Sequence, residues 1–186
     1  MEQERNRVCP VEYAAGLDSK IRKWLQNPQT ILAPYLREGM KALDVGCGPG
    51  FFSIEMARLV GRSGTVISAD LQAGMLEILR NKIRGTELEA RIRPVLCEPG
   101  SINVSEKVDF ILAFYMVHEV PDKNSFFRQL HAVLNNGGKM LLVEPKMFHV
   151  SRKEFARTTR IAADNGFSVS QGPKLSFSWS AVLEIA

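Results

Sequence analysis

The chain has 186 residues, 45% hydrophobic and 24% charged, with a net charge of +4. That length predicts one domain, and the balance excludes a disordered chain, a collagen-like repeat and a disulfide-stapled miniprotein. The longest apolar run, residues 110–117, is far short of the ~20 a membrane helix needs, and the N-terminus, with Glu2, Glu4, Arg5 and Arg7, lacks the apolar region of a signal peptide.

Near the start, Ile21, Trp24 and Leu25 repeat at helical spacing. A second short helix follows, capped by Asn27, with Pro28 in its first turn and Ile31, Leu32, Tyr35 and Leu36 inside. Residues 1–38 read as a helical cap on a single α/β core, residues 39–186. From Lys41 onward, residues 41–47, 64–71, 91–97, 108–115 and 139–144 read as strands, short and rich in Val, Ile, Leu or Phe. Such near-continuous apolar runs suit strands covered on both faces.

Helices fill the gaps. Residues 51–60 stop at Gly61, and Met75, Leu76, Leu79 and Ile83 form a stripe on the next helix. Phe127, Leu130 and Leu134 mark a third, ending at Asn136-Gly137-Gly138. Residues 151–165 open with Ser151 and Glu154, a capping box, and close at Gly166. Residues 167–177 and 179–185 read as an antiparallel pair at the sheet edge. The rhythm predicts a Rossmann-like, doubly wound sheet of seven strands, mostly parallel with an antiparallel last strand.

The loop Leu43-Asp44-Val45-Gly46-Cys47-Gly48-Pro49-Gly50 leaves the first strand and enters the first core helix. Its glycines permit sharp turning and close approach to a ligand at the carboxyl ends of the strands. Phe51 stands where the dinucleotide fingerprint requires a third small residue, and the phosphate loop G-x-x-x-x-G-K-[ST] is absent. Asp44 borders the loop, and a carboxylate there repels a pyrophosphate but favours a ligand with positive charge. S-adenosylmethionine, a sulfonium and ammonium without phosphate, fits. Asp70, closing the second strand, is placed to accept hydrogen bonds from ribose hydroxyls. Met75 is placed to cover an adenine face, and Cys97-Glu98 to meet its edge.

The run ALDVGCGPGFFSIEMA, then Asp70, then VDFILAFYMVHEVPD resembles the class I S-adenosylmethionine-dependent methyltransferases. It is most similar to their small-molecule group, which includes the ubiquinone and menaquinone biosynthesis enzymes. The resemblance implies a seven-stranded fold with the last strand antiparallel. It implies Asp44, Gly46, Cys47 and Gly48 near the methionine part, Asp70 on the ribose, Leu71 and Met75 around the adenine, Glu98 near the adenine amino group, and Phe114 beside the methionine part. The chain departs from the family twice. It has Cys97-Glu98 where Gly-Asp is usual, and only residues 146–150 where quinone and sterol members carry a long insertion.

In this family the segment after the fourth strand contacts the acceptor. Here it lacks the N/D-P-P-Y/F pattern of base-amino methyltransferases, the paired glutamates of arginine methyltransferases, an acidic metal ligand at position 114 and a Pro-Cys nucleophile. Elimination leaves a small-molecule acceptor. RNA, protein, or a non-catalytic cofactor-binding subunit remain the alternatives, and a homodimer is left open. His118 is the first candidate for a catalytic base, because histidine titrates near neutral pH. Tyr115 and Glu119 rank behind it. Cys9, Cys47 and Cys97 match neither a disulfide framework nor a zinc site, so free thiols in a cytoplasmic protein without metal are expected.

Overall fold

The computed structural model describes residues 26–146 and 150–186. The expected helix around Ile21, Trp24 and Leu25 lies outside them. The elements in chain order are α1 (Pro28–Leu32), β1 (Lys41–Val45), α2 (Ser53–Leu59), β2 (Thr65–Asp70), α3 (Ala73–Ile83), β3 (Ile92–Leu96), β4 (Val108–Phe114), a 3-10 turn (Val117–Glu119), α4 (Lys123–Val133), β5 (Leu134–Pro145), α5 (Arg152–Asp164), β6 (Phe167–Gln171) and β7 (Ser178–Ile185).

The strands form one sheet in the order β3-β2-β1-β4-β5-β7-β6. Neighbours from β3 to β5 pair parallel, and β7 runs antiparallel to both β5 and β6. The expected seven strands with an antiparallel last strand are therefore present. The winding direction reverses between β1 and β4, so a crevice opens at their carboxyl ends, where open α/β sheets hold ligands.

Alternation along the strands splits the core into two layers, because successive side chains point to opposite faces. Ala42, Phe110, Leu112, Leu141 and Val143 join Ile31 and Leu32 of α1, Met56 and Ala57 of α2, and Leu76 and Leu79 of α3. On the other face, Leu43, Ile111, Ala113, Met140 and Leu142 meet Phe127, Leu130 and Val133 of α4 and Ala162 of α5. Apolar surface of this kind contributes roughly 25 cal/mol per Å² removed from water, so both helical layers are held by the same term.

Local signals fix several boundaries. Asn27 accepts the Thr30 N–H at the start of α1, and Pro28 occupies the first turn. Ser151 and Glu154 form the reciprocal capping box of α5. Three expectations are corrected. Tyr35 and Leu36 lie past the end of α1, where they still pack on the core through Tyr35 stacked on Phe110. Leu134 is the first residue of β5, not a helix position, and β5 includes the Asn-Gly-Gly run expected to end the helix, which stops at Val133. That run sits at an irregularity between the Val108–Leu134 and Phe110–Lys139 pairs, where Asn135 Nδ2 donates to Asp109 Oδ1 at 2.8 Å. Finally, β6 stops at Gln171 and does not reach residue 177.

Candidate active site

The glycine loop after β1 turns on positive φ angles at Gly46 (71°), Gly48 (54°) and Gly50 (87°), which L side chains rarely adopt. Its backbone donors point into the protein. The Gly46 and Cys47 N–H groups both donate to the Ala69 carbonyl, at 2.8 and 3.1 Å, and the Gly50 N–H donates to the Cys47 carbonyl. The Gly48 N–H donates to Asp70 Oδ2 at 2.8 Å. Pro49 has no N–H to give. From Gly46 to Gly50 no backbone donor remains for a pyrophosphate, whose recognition depends on such donors.

Asp44 is buried beneath this loop. Its Oδ2 accepts the Ser53 hydroxyl at 2.6 Å from the first turn of α2, and Ser68 Oγ donates to Ser53 Oγ at 2.9 Å. One carboxylate oxygen thus anchors α2 while the residue lines the floor of the cleft. Asp70 accepts two backbone donors, Gly48 N–H and Gln72 N–H, the latter at 2.9 Å. Burial pushes its carboxyl above the usual value, and the backbone hydrogen bonds pull it partly back. Asp70 therefore fixes both the glycine loop and the entry to α3 while standing at the cleft.

Beyond β2 and β3 the cleft wall is apolar with an acidic rim. Leu71 is half exposed at the mouth, Met75 is buried behind it, and Glu98 stands at the edge, held by a bridge to Ser101. Cys97 is buried, its thiol pushed up to about 12 by burial first and by the Asp70 charge second. Burial, with Asp44 and Asp70 adding to it, also raises Cys47 well above its ordinary value. Both described cysteines are free, and no group that could hold a metal occurs among the described residues.

On the β4 side a cluster of tilted aromatic rings lines the cleft. Phe114 lies 4.3 Å from Phe52 and 4.6 Å from Tyr115, centroid to centroid. Tyr115 has a φ of +59°, uncommon for a bulky side chain, and such strain persists where surroundings over-determine it. Its hydroxyl is fixed by Gln26 Nε2 at 2.6 Å and by Ser178 Oγ on β7.

His118 is placed differently from the expected base. Its ring lines a neighbouring cleft beside α5, with Glu144, Arg157 and Thr158, and is absent from the lining of the main one. His118 Nδ1 meets Glu144 Oε2 at 2.5 Å, and the other Glu144 oxygen accepts the Val117 N–H at 2.8 Å. Burial alone lowers the imidazole, but the Glu144 hydrogen bond and charge, helped by Glu119, outweigh it and leave His118 above its ordinary value. Glu119, not His118, lines the cleft with Asp44, Gly46, Cys47, Gly48, Asp70, Leu71, Met75, Glu98 and Phe114. The sequence carries one signal for this division, the short turn itself, which rotates successive side chains by about a third of a circle.

Five carboxylates border the main cleft: Asp44, Asp70, Glu98, Glu119 and Asp122. No lysine, arginine or histidine among the described residues joins them. This contrasts with the whole chain, whose 24 basic residues outnumber 20 acidic ones.

A seven-stranded sheet with this strand order, and a glycine loop over the reversal point, defines a Rossmann-like methyltransferase fold. A family model described as a methyltransferase domain matches residues 36–183, and the chain belongs to that family. Among curated proteins, the ubiquinone/menaquinone biosynthesis C-methyltransferase of Haemophilus ducreyi is 31% identical over 116 residues, covering 62% of this chain and 45% of that protein. The enzyme of the same name from Cellvibrio japonicus is 34% identical over 116 residues, covering 62% and 47%. The chain thus spans less than half the length of these relatives. A crystal structure of an S-adenosylmethionine-dependent methyltransferase from Aquifex aeolicus superposes with a TM-score of 0.86 at 23% identity, covering 96% of this chain and all of that one, which shows a shared fold. The family and fold agree with the class that the glycine loop and its acids predict.

Proposed function

We infer that the chain is an S-adenosylmethionine-dependent methyltransferase whose acceptor is a small molecule. The single observation that carries this reading is the charge of the main cleft, lined by five carboxylates and, among the described residues, by no cationic side chain. Such a site attracts a cation and repels phosphate. The inward-turned donors of the glycine loop point the same way.

When bound, the cofactor supplies a methyl group already activated on its sulfonium. The protein's part is alignment and exclusion of water. Asp70 accepts ribose hydroxyls with the lone pairs its backbone donors leave, Leu71 and Met75 flank the adenine, and Glu98 accepts from the adenine amino group. Asp44 and the Gly46-Cys47-Gly48 backbone border the methionine part, and Phe114 closes it off beside Phe52 and Tyr115. That aromatic wall suits an acceptor bearing a ring, in line with the quinone pathways in the relatives' names. RNA is disfavoured because its phosphates meet the acidic rim. No described helix is long and apolar enough to cross a membrane. A cytoplasmic location is part of this proposal.

Calorimetric titration tests the reading. S-adenosylmethionine and its demethylated product are expected to bind at one site. Absence of binding at millimolar concentration overturns it.

A further inference from the structure

The three residues of the turn after β4 diverge. Val117 is fully buried, His118 faces the cleft beside α5, and Glu119 lines the cleft above β1 and β4. The turn sits directly on the glycine loop. A Cβ on Gly46 would lie 2.7 Å from Met116 Cγ, and the Glu119 N–H donates to the Met116 carbonyl at 3.0 Å. One imidazole links two carboxylates: His118 Nδ1 is 2.5 Å from Glu144 Oε2, and its Nε2 is 3.9 Å from Glu119 Oε1. Glu144 is 1% exposed and also holds the Val117 N–H, so the turn is tied to β5 at two points.

We propose that Glu119 is the specificity-determining residue for the donor's positive charge, and that His118, locked by Glu144, is a positioning residue for it. This rests on the cofactor reading above. On that reading the nucleoside would take the β2–β3 side of the cleft, with Asp70, Leu71 and Glu98, which leaves the methionine part the β1–β4 side that Glu119 also lines. A carboxylate there attracts a sulfonium and has no equal attraction for the neutral thioether that remains after transfer. Glu119 thereby favours donor over product, and specificity of this kind is a difference of two affinities.

The test is calorimetric titration of the full chain with S-adenosylmethionine and with S-adenosylhomocysteine, which differ at the sulfur alone. Glu119→Gln is expected to lose about tenfold in affinity for the sulfonium and under about twofold for the thioether, the scale of one partly exposed charge pair. His118→Asn is expected to shift the ratio of the two affinities in the same direction, which general damage to the fold does not do. An equal effect of Glu119→Gln on both ligands, or none, overturns the role of Glu119. An unchanged ratio in His118→Asn overturns the positioning role. Wild-type protein that binds neither ligand overturns the cofactor reading and this proposal with it; normal wild-type binding with an equal effect on both overturns this proposal alone.

Discussion

Asp70 does two jobs with one carboxylate. It holds the Gly48 and Gln72 N–H groups and faces the cleft, at the expense of ionising in a buried place. Asp70→Ala is expected to weaken S-adenosylmethionine binding by about 1.5–3 kcal/mol, the range for a lost hydrogen bond to a charged group; an unchanged titration curve would show the ribose site is elsewhere. Gly50 illustrates a steric requirement. Its φ is +87°, and a Cβ there would fall 2.4 Å from Leu79 Cδ1 in the core. Gly50→Ala is expected to lower stability by about 1–3 kcal/mol through strain and overpacking, read as a lower denaturant midpoint. At this scale the sequence was informative, because glycine and an acid at a strand tip are constrained by their own backbone. The residue it ranked first as a base, His118, depended on a partner 26 positions away and lies in the neighbouring cleft.

Among the elements, β5 and the turn after β4 act together. Buried Glu144 places a negative charge in the sheet, which is costly unless paired. His118 supplies the pair, and its value in the folded protein is raised. A raised value means the folded state favours the imidazolium. The stability from this pair is therefore complete below about pH 6.5, the ordinary histidine value, and is lost as pH rises through the raised one. Thermal midpoints of wild type and His118→Asn are expected to differ at pH 6 and to converge toward pH 9; a gap that grows with pH contradicts the assignment. The capping box of α5 and the Asn27-Pro28 start of α1 were legible from adjacent residues. The extent of β5 was not, since Asn135–Gly138 has turn composition, yet the Val108–Leu134 and Phe110–Lys139 pairs on either side of it and the Asn135–Asp109 contact hold it in the strand.

For the whole molecule, charge is distributed against its sum. A chain of net charge +4 concentrates five acids around its main cleft and, among the described residues, no base. NADH at millimolar concentration is expected to leave the thermal midpoint unchanged while S-adenosylmethionine raises it by mass action; stabilisation by NADH alone would reverse the electrostatic reading. The layer structure was legible because strand alternation and helical stripes are short-range periodicities set by backbone geometry. By itself the sequence thus determined the parallel α/β sheet, its antiparallel final strand, the glycine loop and the acids at the tips of β1 and β2. Only the tertiary structure decided that the loop's N–H groups turn inward to β2, that Glu119 and not His118 borders the main cleft, and that Glu144 grips the turn. These depend on atoms from separate strands meeting in one packed arrangement, which no local pattern encodes.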